Sequence, residues 1–254
     1  MTTLTKIIVA TLLSLTLFSC NFDINMNSGV RGNGNVQIEE RTVNQTFTAI
    51  KATEGLNVYL TQGNSESITV EADENLHELI ITEVIDGVLK IHTTENIGKS
   101  TVKKVMVSFK DISAITSTSG SDVYSTNTIS ANHLKLKSTS GSDMKLDVNT
   151  SILECKSTSG SDLKLSGKTE KLIAEATSGS DIKASNLVAE SSQVKATSGA
   201  DISVNTSKEL TAKATSGGDI RYYGNPEKVN KKGDLTKGSL FIGIEALRGY
   251  HCIE

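Results

Sequence analysis

One phrase occurs six times between Thr118 and Ile220: TSGSDV (118–123), TSGSDM (139–144), TSGSDL (158–163), TSGSDI (177–182), TSGADI (197–202) and TSGGDI (215–220). Its first and last aspartates, Asp122 and Asp219, are five steps apart, so the mean period is about 19 residues. A unit this short cannot bury an apolar face by itself, and its copies must therefore stack on one another. The segment predicts a repeat architecture.

Alignment of the copies on the glycine separates inward from outward positions. Aliphatic or small residues stand five and three residues before the glycine and three and five residues after it, and polar residues alternate with them. This period of two indicates a strand, a corner and a second strand. Stacked coils with like residues about 4.8 Å apart satisfy the pattern. We therefore predict an all-β, right-handed parallel β-helix with coils of about 19 residues.

The corners supply the candidate surface positions, which we expect to be structural. They are the pairs Gly120 and Asp122, Gly141 and Asp143, Gly160 and Asp162, Gly179 and Asp181, Gly199 and Asp201, and Gly217 and Asp219. Stacked carboxylates repel one another, but a cation follows two residues after the aspartate in four copies, and lysines recur four residues before the glycine. We expect these columns to neutralise one another on a solvated wall, without a metal or a cofactor. Calcium bound between coils is the alternative, because glycine- and aspartate-rich repeats of another period bind it.

The N-terminus has the pattern of an export signal. Lys6 precedes an apolar run from Ile7 to Phe18, which is too short to span a bilayer and fits a secretory signal peptide. The run ends in Leu17-Phe18-Ser19-Cys20, which resembles the bacterial lipobox. We predict a signal peptide over 1–19, a lipidated Cys20 and a flexible polar tether over 20–35. An uncleaved anchor or ordinary secretion is the alternative.

Residues 36–231 are predicted to form the β-helix domain, with an irregular N-terminal cap over 36–110, repeat coils over 111–224, and a C-terminal cap or tail over 232–254. Gly55-Leu56-Asn57-Val58 has the form of a degenerate corner, with Asn57 in the place of aspartate. Two hairpins are expected in the cap. One pairs Val58–Thr61 with Ser67–Glu71, and the other pairs Ile80–Ile85 with Val88–His92 across the tight-turn signal Asp86-Gly87.

The composition excludes some functions. The formal net charge is −3, which argues against a nucleic-acid partner. One proline, no tryptophan and abundant Ser, Thr and Gly are typical of an exported all-β protein. Cys155 stands in an inward column, so we expect a buried free thiol, with a bridge to Cys252 as the alternative. Glycoside hydrolysis requires two carboxylates in distinct environments, whereas the repeated aspartates occupy equivalent positions. Catalysis is therefore not expected.

Several further segments resemble the putative auto-transporter adhesin, head GIN domain family. They are Gly32–Val36, Glu39–Arg41, Phe47–Ile50, Val58–Leu60, Val70–Leu76, Gly87–Ile91, the serial Ser-Gly-x-Asp corners and Tyr223–Pro226. The resemblance covers about Gly32 to Lys231 and implies β-helical lipoproteins or secreted proteins of Bacteroidetes-type bacteria. It implies no catalytic residues. The tail from Lys232 to Glu254 departs from the family pattern.

These observations predict a non-catalytic lipoprotein of the cell envelope, lipid-anchored in the outer membrane. Its β-helix would present a repetitive polar wall to a glycan or a protein partner. The alternative is a carbohydrate-active enzyme, a polysaccharide lyase or hydrolase built on a β-helix. A cluster of acids that broke the column pattern would favour that alternative, and the sequence shows none.

Overall fold

The computed structural model describes residues 29–232 and 239–242, which form strands, turns and one 3-10 turn at Glu74–Leu76. Cys20 and most of the tail lie outside the described residues. The strands are β1 Val36–Arg41, β2 Ala49–Ala52, β3 Asn57–Gln62, β4 Ser67–Asp73, β5 Ile80–Ile85, β6 Val88–Thr93, β7 Lys103–Phe109, β8 Ala114–Ser117, β9 Asp122–Ser125, β10 Ile129–Thr139, β11 Asp143–Thr158, β12 Asp162–Thr177, β13 Asp181–Thr197, β14 Asp201–Thr215, β15 Asp219–Tyr223, β16 Lys228–Lys232 and β17 Ser239–Ile242.

The strands stack into a parallel β-solenoid of about six turns with a spacing of about 19 residues, which confirms the predicted fold class. Strands β10 to β14 are long, the TSGxD corners lie between them, and each pairs in parallel with the next. Two continuous ladders result. The pre-corner ladder runs β6, β2, β8, β10 and onward, and the post-corner ladder runs β7, β3, β9, β11 and onward.

The N-terminal end of the stack is covered by antiparallel strands. Strand β4 pairs with β7, and β1 then pairs with β4, while β5 pairs with β6. The β5–β6 hairpin confirms the prediction, and its turn residues Asp86 and Gly87 have φ values of 52° and 73°, as a type I′ turn requires. These strands give the first parallel coils an antiparallel cover, which limits pairing with other chains.

The predicted hairpin between Val58–Thr61 and Ser67–Glu71 is wrong. Strand β3 is paired in parallel with β7 on one edge and with β9 on the other, so it has no free edge for β4. Strand β4 instead pairs with β7 on the outer side of the stack. The degenerate corner is confirmed, because Asn57 lies directly beside Asp122 in the ladder.

The four inward columns form the core. Every member of the columns five before and three after the glycine is buried, from Ile115 and Val123 in the first coil to Ala212 and Ile220 in the last. Cys155 belongs to this core with 4% exposure and is a free thiol, as predicted. Burial, and secondarily the charge of Glu154, raises the pKa of this thiol far above its ordinary value. It is therefore a packing residue of low reactivity.

Buried serines satisfy one another at the corners of the early coils. In the Gly160 coil, Ser157 Oγ donates to the carbonyl oxygen of Ser161 at 2.7 Å, and the two hydroxyl oxygens lie 2.9 Å apart. The same pairs occur at Ser117 with Ser121 and at Ser138 with Ser142. Because buried hydroxyls are costly without partners, these pairs explain why serine is tolerated inside the stack.

Residues just before β1 also contact the cap. Val30 forms a bridge with Ile97, and the amide of Gly32 donates to the carbonyl of Lys99 at 3.0 Å. The backbone amide of Asn33 donates to Asn75 Oδ1 at 2.9 Å. The described part of the segment expected to be a tether is thus hydrogen-bonded to the N-terminal end of the solenoid.

Candidate interaction surfaces

Each TSGxD corner is built from two successive residues in the left-handed region. In the third copy Ser159 has φ 58° and Gly160 has φ 67°, and the other five copies repeat this pair. The amide of Gly160 donates to the carbonyl of Ser178 in the next coil at 3.2 Å, and the amide of Asp162 donates to the carbonyl of Ser142 in the preceding coil at 3.2 Å. The corners are therefore stacked rigidly, and they fix where the aspartate leaves the turn.

The six predicted aspartates stand in one column on the outer side of the post-corner ladder. Each lies directly opposite the next, from Asp122 beside Asp143 to Asp201 beside Asp219. We call this side the aspartate face. Neighbouring strands in a sheet are about 4.8 Å apart. Because aspartate recurs at the same position of each repeat, the stacked coils carry a line of carboxylates.

The expected mutual neutralisation holds only in part. Lys183 Nζ lies 2.9 Å from Asp162 and 3.1 Å from Asp181, and among the described residues it is the cation that makes ion pairs with the column. Asp162 is thus held by a lysine of the next coil, not by Lys164 of its own. The lysines four residues before the glycine lie in the pre-corner ladder, on another side of the corner, and two of them, Lys156 and Lys195, pair there with Glu175.

Two aspartates have raised pKa values. Burial raises the pKa of Asp122, and the neighbouring Asp143 raises it further. Burial likewise raises the pKa of Asp201, together with the charges of Asp181 and Asp219 on the adjacent coils. Like-charge repulsion therefore persists where no lysine bridges the carboxylates, and the column is not electrostatically uniform.

A small cavity of about 170 Å³ opens on the aspartate face where three carboxylates meet two cations. Its charged lining residues are Asp181, Asp201, Asp219, Lys183 and Arg221. Within residues 29–232, no group of three or more His, Cys, Asp or Glu side chains has an arrangement that could hold a metal ion. The predicted corner residues are thus brought together as a line, with each carboxylate facing its own copy in the next coil.

An aromatic pair on the aspartate face was not anticipated. The rings of Tyr59 and Tyr124 stack with centroids 5.2 Å apart and planes at 26°, and Lys104 Nζ lies 4.9 Å from the centre of the Tyr59 ring. Burial first, and the charge of Asp122 second, raise the pKa of Tyr124. Because each ring covers the other, the pair joins two coils. Alignment of the degenerate Gly55 corner with the Gly120 corner would have placed both tyrosines in one column.

A longer groove of about 780 Å³ runs across four coils on a third side of the solenoid. Its walls carry hydroxyl, amide and charged groups, among them Asn132, Asn149, Ser151, Lys168 and Glu170. Thr150 Oγ1 donates to Thr169 Oγ1 at 2.9 Å along the groove. This surface can offer several hydrogen-bonding groups to an extended polar ligand.

Comparisons with known proteins agree with this architecture. Residues 46–226 match the family described as "Putative auto-transporter adhesin, head GIN domain". Among the structures of similar fold is a putative adhesin from Bacteroides fragilis NCTC 9343, with TM-score 0.75 and 20% identity over 84% of this chain and 99% of that chain. A putative adhesin from Parabacteroides merdae ATCC 43184 has TM-score 0.66 and 20% identity over 85% and 99%.

A third structure, from Parabacteroides distasonis ATCC 8503, is described as a putative lipid binding protein, with TM-score 0.63 and 18% identity over 85% of this chain and 99% of that chain. At these identities the likeness shows the fold. Among the described residues, no helix has the length and apolar character needed to cross a membrane. The search of curated proteins returned no match. The family match covers the degenerate corner, most of the cap and all six repeats, and the chain belongs to the putative auto-transporter adhesin, head GIN domain family.

Proposed function

We propose that this protein is a non-catalytic adhesion module of the bacterial cell envelope, which binds an extended glycan or protein through the outer faces of its solenoid. The observation that carries the proposal is the repetition itself. Outward side chains recur in register on successive coils, so a ligand with its own repeat can make the same contact several times. Weak contacts that are repeated in this way add up to firm attachment.

The proposal places the domain of residues 36–231 on a membrane through the lipidated Cys20, after removal of residues 1–19, with the segment 20–35 as the connection and 232–254 as a tail. Two or more acyl chains give stable anchoring where one does not. The membrane is proposed to be the outer membrane of a Bacteroidetes-type bacterium. An anchored module of this kind transmits an attachment force to the cell.

The geometry gives less support to a polysaccharide lyase or hydrolase. Glycoside hydrolysis uses two carboxylates whose environments separate their protonation states. In the groove, Glu190 forms an ion pair with Lys208 at 2.6 Å, and Glu170 accepts a hydrogen bond from Ser151 Oγ at 3.5 Å. The aspartates of the repeat each face a copy of themselves.

The experiment measures retention of bacteria on surfaces coated with glycans or matrix proteins. Cells that produce the full chain are compared with cells that produce Cys20→Ser and with cells that carry an empty vector, under the same flow. The proposal predicts that wild-type cells are retained on at least one coating and that both controls are washed away. Equal retention of all three strains on every coating would overturn it.

A further inference from the structure

The pre-corner ladder carries a column of lysines along the whole described stack. The position four residues before each corner glycine, continued into the cap, is occupied in spatial order by Lys90, Lys51, Thr116, Lys137, Lys156, Glu175, Lys195 and Lys213. With strands about 4.8 Å apart, this column is about 34 Å long. We call the side of the solenoid that carries it the lysine face.

Positive charge prevails on this face although the chain as a whole has a net charge of −3. Glu175 is the anion of the column, and it is bridged by Lys195 at 2.6 Å and by Lys156 at 3.9 Å. The hydrogen bond from Lys195 holds the pKa of Glu175 below its ordinary value. Elsewhere on the face, Glu154 is engaged by His133 at 2.7 Å and by Lys135 at 3.9 Å. The nearby carboxylates are thus already occupied.

Several ammonium groups of the column have no carboxylate partner. Lys51, Lys137 and Lys213 are exposed, and no carboxylate of the described residues lies within ion-pair distance of them. Lysines also stand directly opposite one another at Lys51 with Lys90 and at Lys137 with Lys156. Like charges opposite one another destabilise a sheet. The column of lysines therefore does not stabilise the fold, and a ligand of opposite charge would reduce the repulsion between the lysines.

A second column, of hydroxyl groups, runs beside the lysines. Two residues further along each strand, Thr118, Thr139, Thr158, Thr177, Thr197 and Thr215 lie in register, partly exposed. Each of these six coils thus presents a threonine hydroxyl beside its column residue, which is a lysine in four of them. The arrangement repeats from coil to coil at a distance close to the length of one pyranose unit. Hydroxyls bind sugar hydroxyls, and ammonium groups bind sulfate or carboxylate as point charges.

We propose that the lysine face binds a linear anionic polysaccharide, sulfated or uronate-bearing, that lies along the solenoid axis. The outward residues of this ladder in the described coils include no arginine for bidentate phosphate recognition and no Phe, Tyr or Trp on which a base could stack. These features favour a glycan over a nucleic acid. The inference rests on the proposed adhesive function and identifies one of its binding faces and the chemical class of ligand.

The test compares two triple variants of the full chain that lose the same charge. Lys51→Gln, Lys137→Gln and Lys213→Gln together alter the lysine face. The control combines Lys110→Gln, Lys145→Gln and Lys164→Gln. These three lysines are exposed, and each lies within a strand of the post-corner ladder or directly after one. Binding to heparin, polygalacturonate, neutral dextran and duplex DNA is measured for each protein over a range of salt concentrations.

We expect wild-type protein and the control to bind heparin or polygalacturonate more tightly than DNA, with no binding to dextran. The lysine-face variant should bind the anionic polysaccharide about tenfold more weakly or worse, and its slope of log Kd against log salt should fall by about 2 to 3, because three ionic contacts are lost. Melting curves of the free proteins verify that both variants are folded.

Equal weakening in both variants would mean that overall charge governs binding, and it would overturn the inference. Preference for DNA over both anionic polysaccharides would overturn it as well, in favour of a nucleic-acid surface. Absence of binding to heparin and polygalacturonate would refute the lysine face, while retention of wild-type cells on another coating in the flow experiment would leave the adhesive function standing. Absence of retention on every coating would refute the adhesive function as well.

Discussion

Two glycines of the same coil should respond very differently to alanine. At Gly160 the only obstacle is the backbone, because φ is +67° and an added Cβ would meet no atom within 4 Å. The left-handed conformation costs an L-residue about 1–2 kcal/mol, and part of this is offset because alanine restricts the unfolded chain by about 0.4–1 kcal/mol. Gly160→Ala should therefore lower the free energy of unfolding by about 1 kcal/mol.

At Gly167 the backbone and the neighbouring coil both oppose a side chain. Its φ of +102° lies outside the left-handed helical region, and an added Cβ would lie 2.1 Å from the carbonyl oxygen of Val148. Backbone strain of about 1–3 kcal/mol adds to an overpacking cost of about 1–3 kcal/mol. Gly167→Ala should therefore destabilise the protein by about 2–6 kcal/mol, since the two coils must separate.

The assay is urea and thermal denaturation of the wild type and both variants. For a chain of this size, about 1 kcal/mol corresponds to about 2–4 °C in Tm, so the two variants are readily distinguished. Ser159→Gly is the matched control, because it removes the strain of a serine at φ 58° and should not lower Tm. Equal losses at Gly160 and Gly167 would refute the description of the corner as an open turn and of Gly167 as a contact between coils.

Three other predictions concern the core, the aspartate face and the anchor. Leu146→Asp should destabilise the protein by several kcal/mol because it buries an unpaired charge. The outward Lys145→Ala should cost less than about 1 kcal/mol. Similar melting curves for the two variants would contradict the assignment of inward and outward positions. Asp201 has a raised pKa, so its ionisation weakens the fold as the pH rises above 3.8; Asp201→Asn should raise Tm at pH 7 and have no effect near pH 3. Asp162→Asn, which loses an ion pair with Lys183, should instead lower Tm slightly at pH 7, and a shift of the same sign in both variants would refute the electrostatic assignment. Cys20→Ser should move the protein from the membrane pellet to the soluble fraction, and unchanged pelleting without an acyl label on the wild type would refute lipidation.

The repeat made most of the stack predictable. Each inward position recurs six times, which makes its assignment reliable, and every member of the inward columns except the partly exposed Ser125 is buried as expected. The alternation of inward and outward residues does not continue through the corner, however. The residue between glycine and aspartate, such as Ser161, is buried, because the two left-handed residues turn the strand and redirect the next side chain inward.

The cap was harder to predict because its pairings are distant in sequence. Gln62-Gly63-Asn64 is a local turn signal, but both edges of β3 are already occupied by β7 and β9. The stacked pair of Tyr59 and Tyr124 joins residues 65 positions apart, so it could be predicted only by aligning the degenerate Gly55 corner with the Gly120 corner.

Ion pairs were predicted within one strand and are found mainly between coils. Residues two apart on a strand are about 6.6 Å apart, whereas like positions on adjacent coils are about 4.8 Å apart. Lys183 therefore reaches Asp162 of the preceding coil as closely as Asp181 of its own. Periodicity in the sequence identifies which side chains face outward, and the stacking distance decides which of them meet.

The most direct measurement follows the binding and the chain length of one polysaccharide in the same incubation. Heparin or polygalacturonate of defined length is incubated with the full chain, and bound and free polymer are then separated and sized. A non-catalytic adhesion module should retain the polymer saturably and leave its length unchanged, however long the incubation. Shortening of the polymer, or the appearance of new reducing ends, would contradict the account in favour of an enzyme, and the absence of retention would contradict binding at this surface.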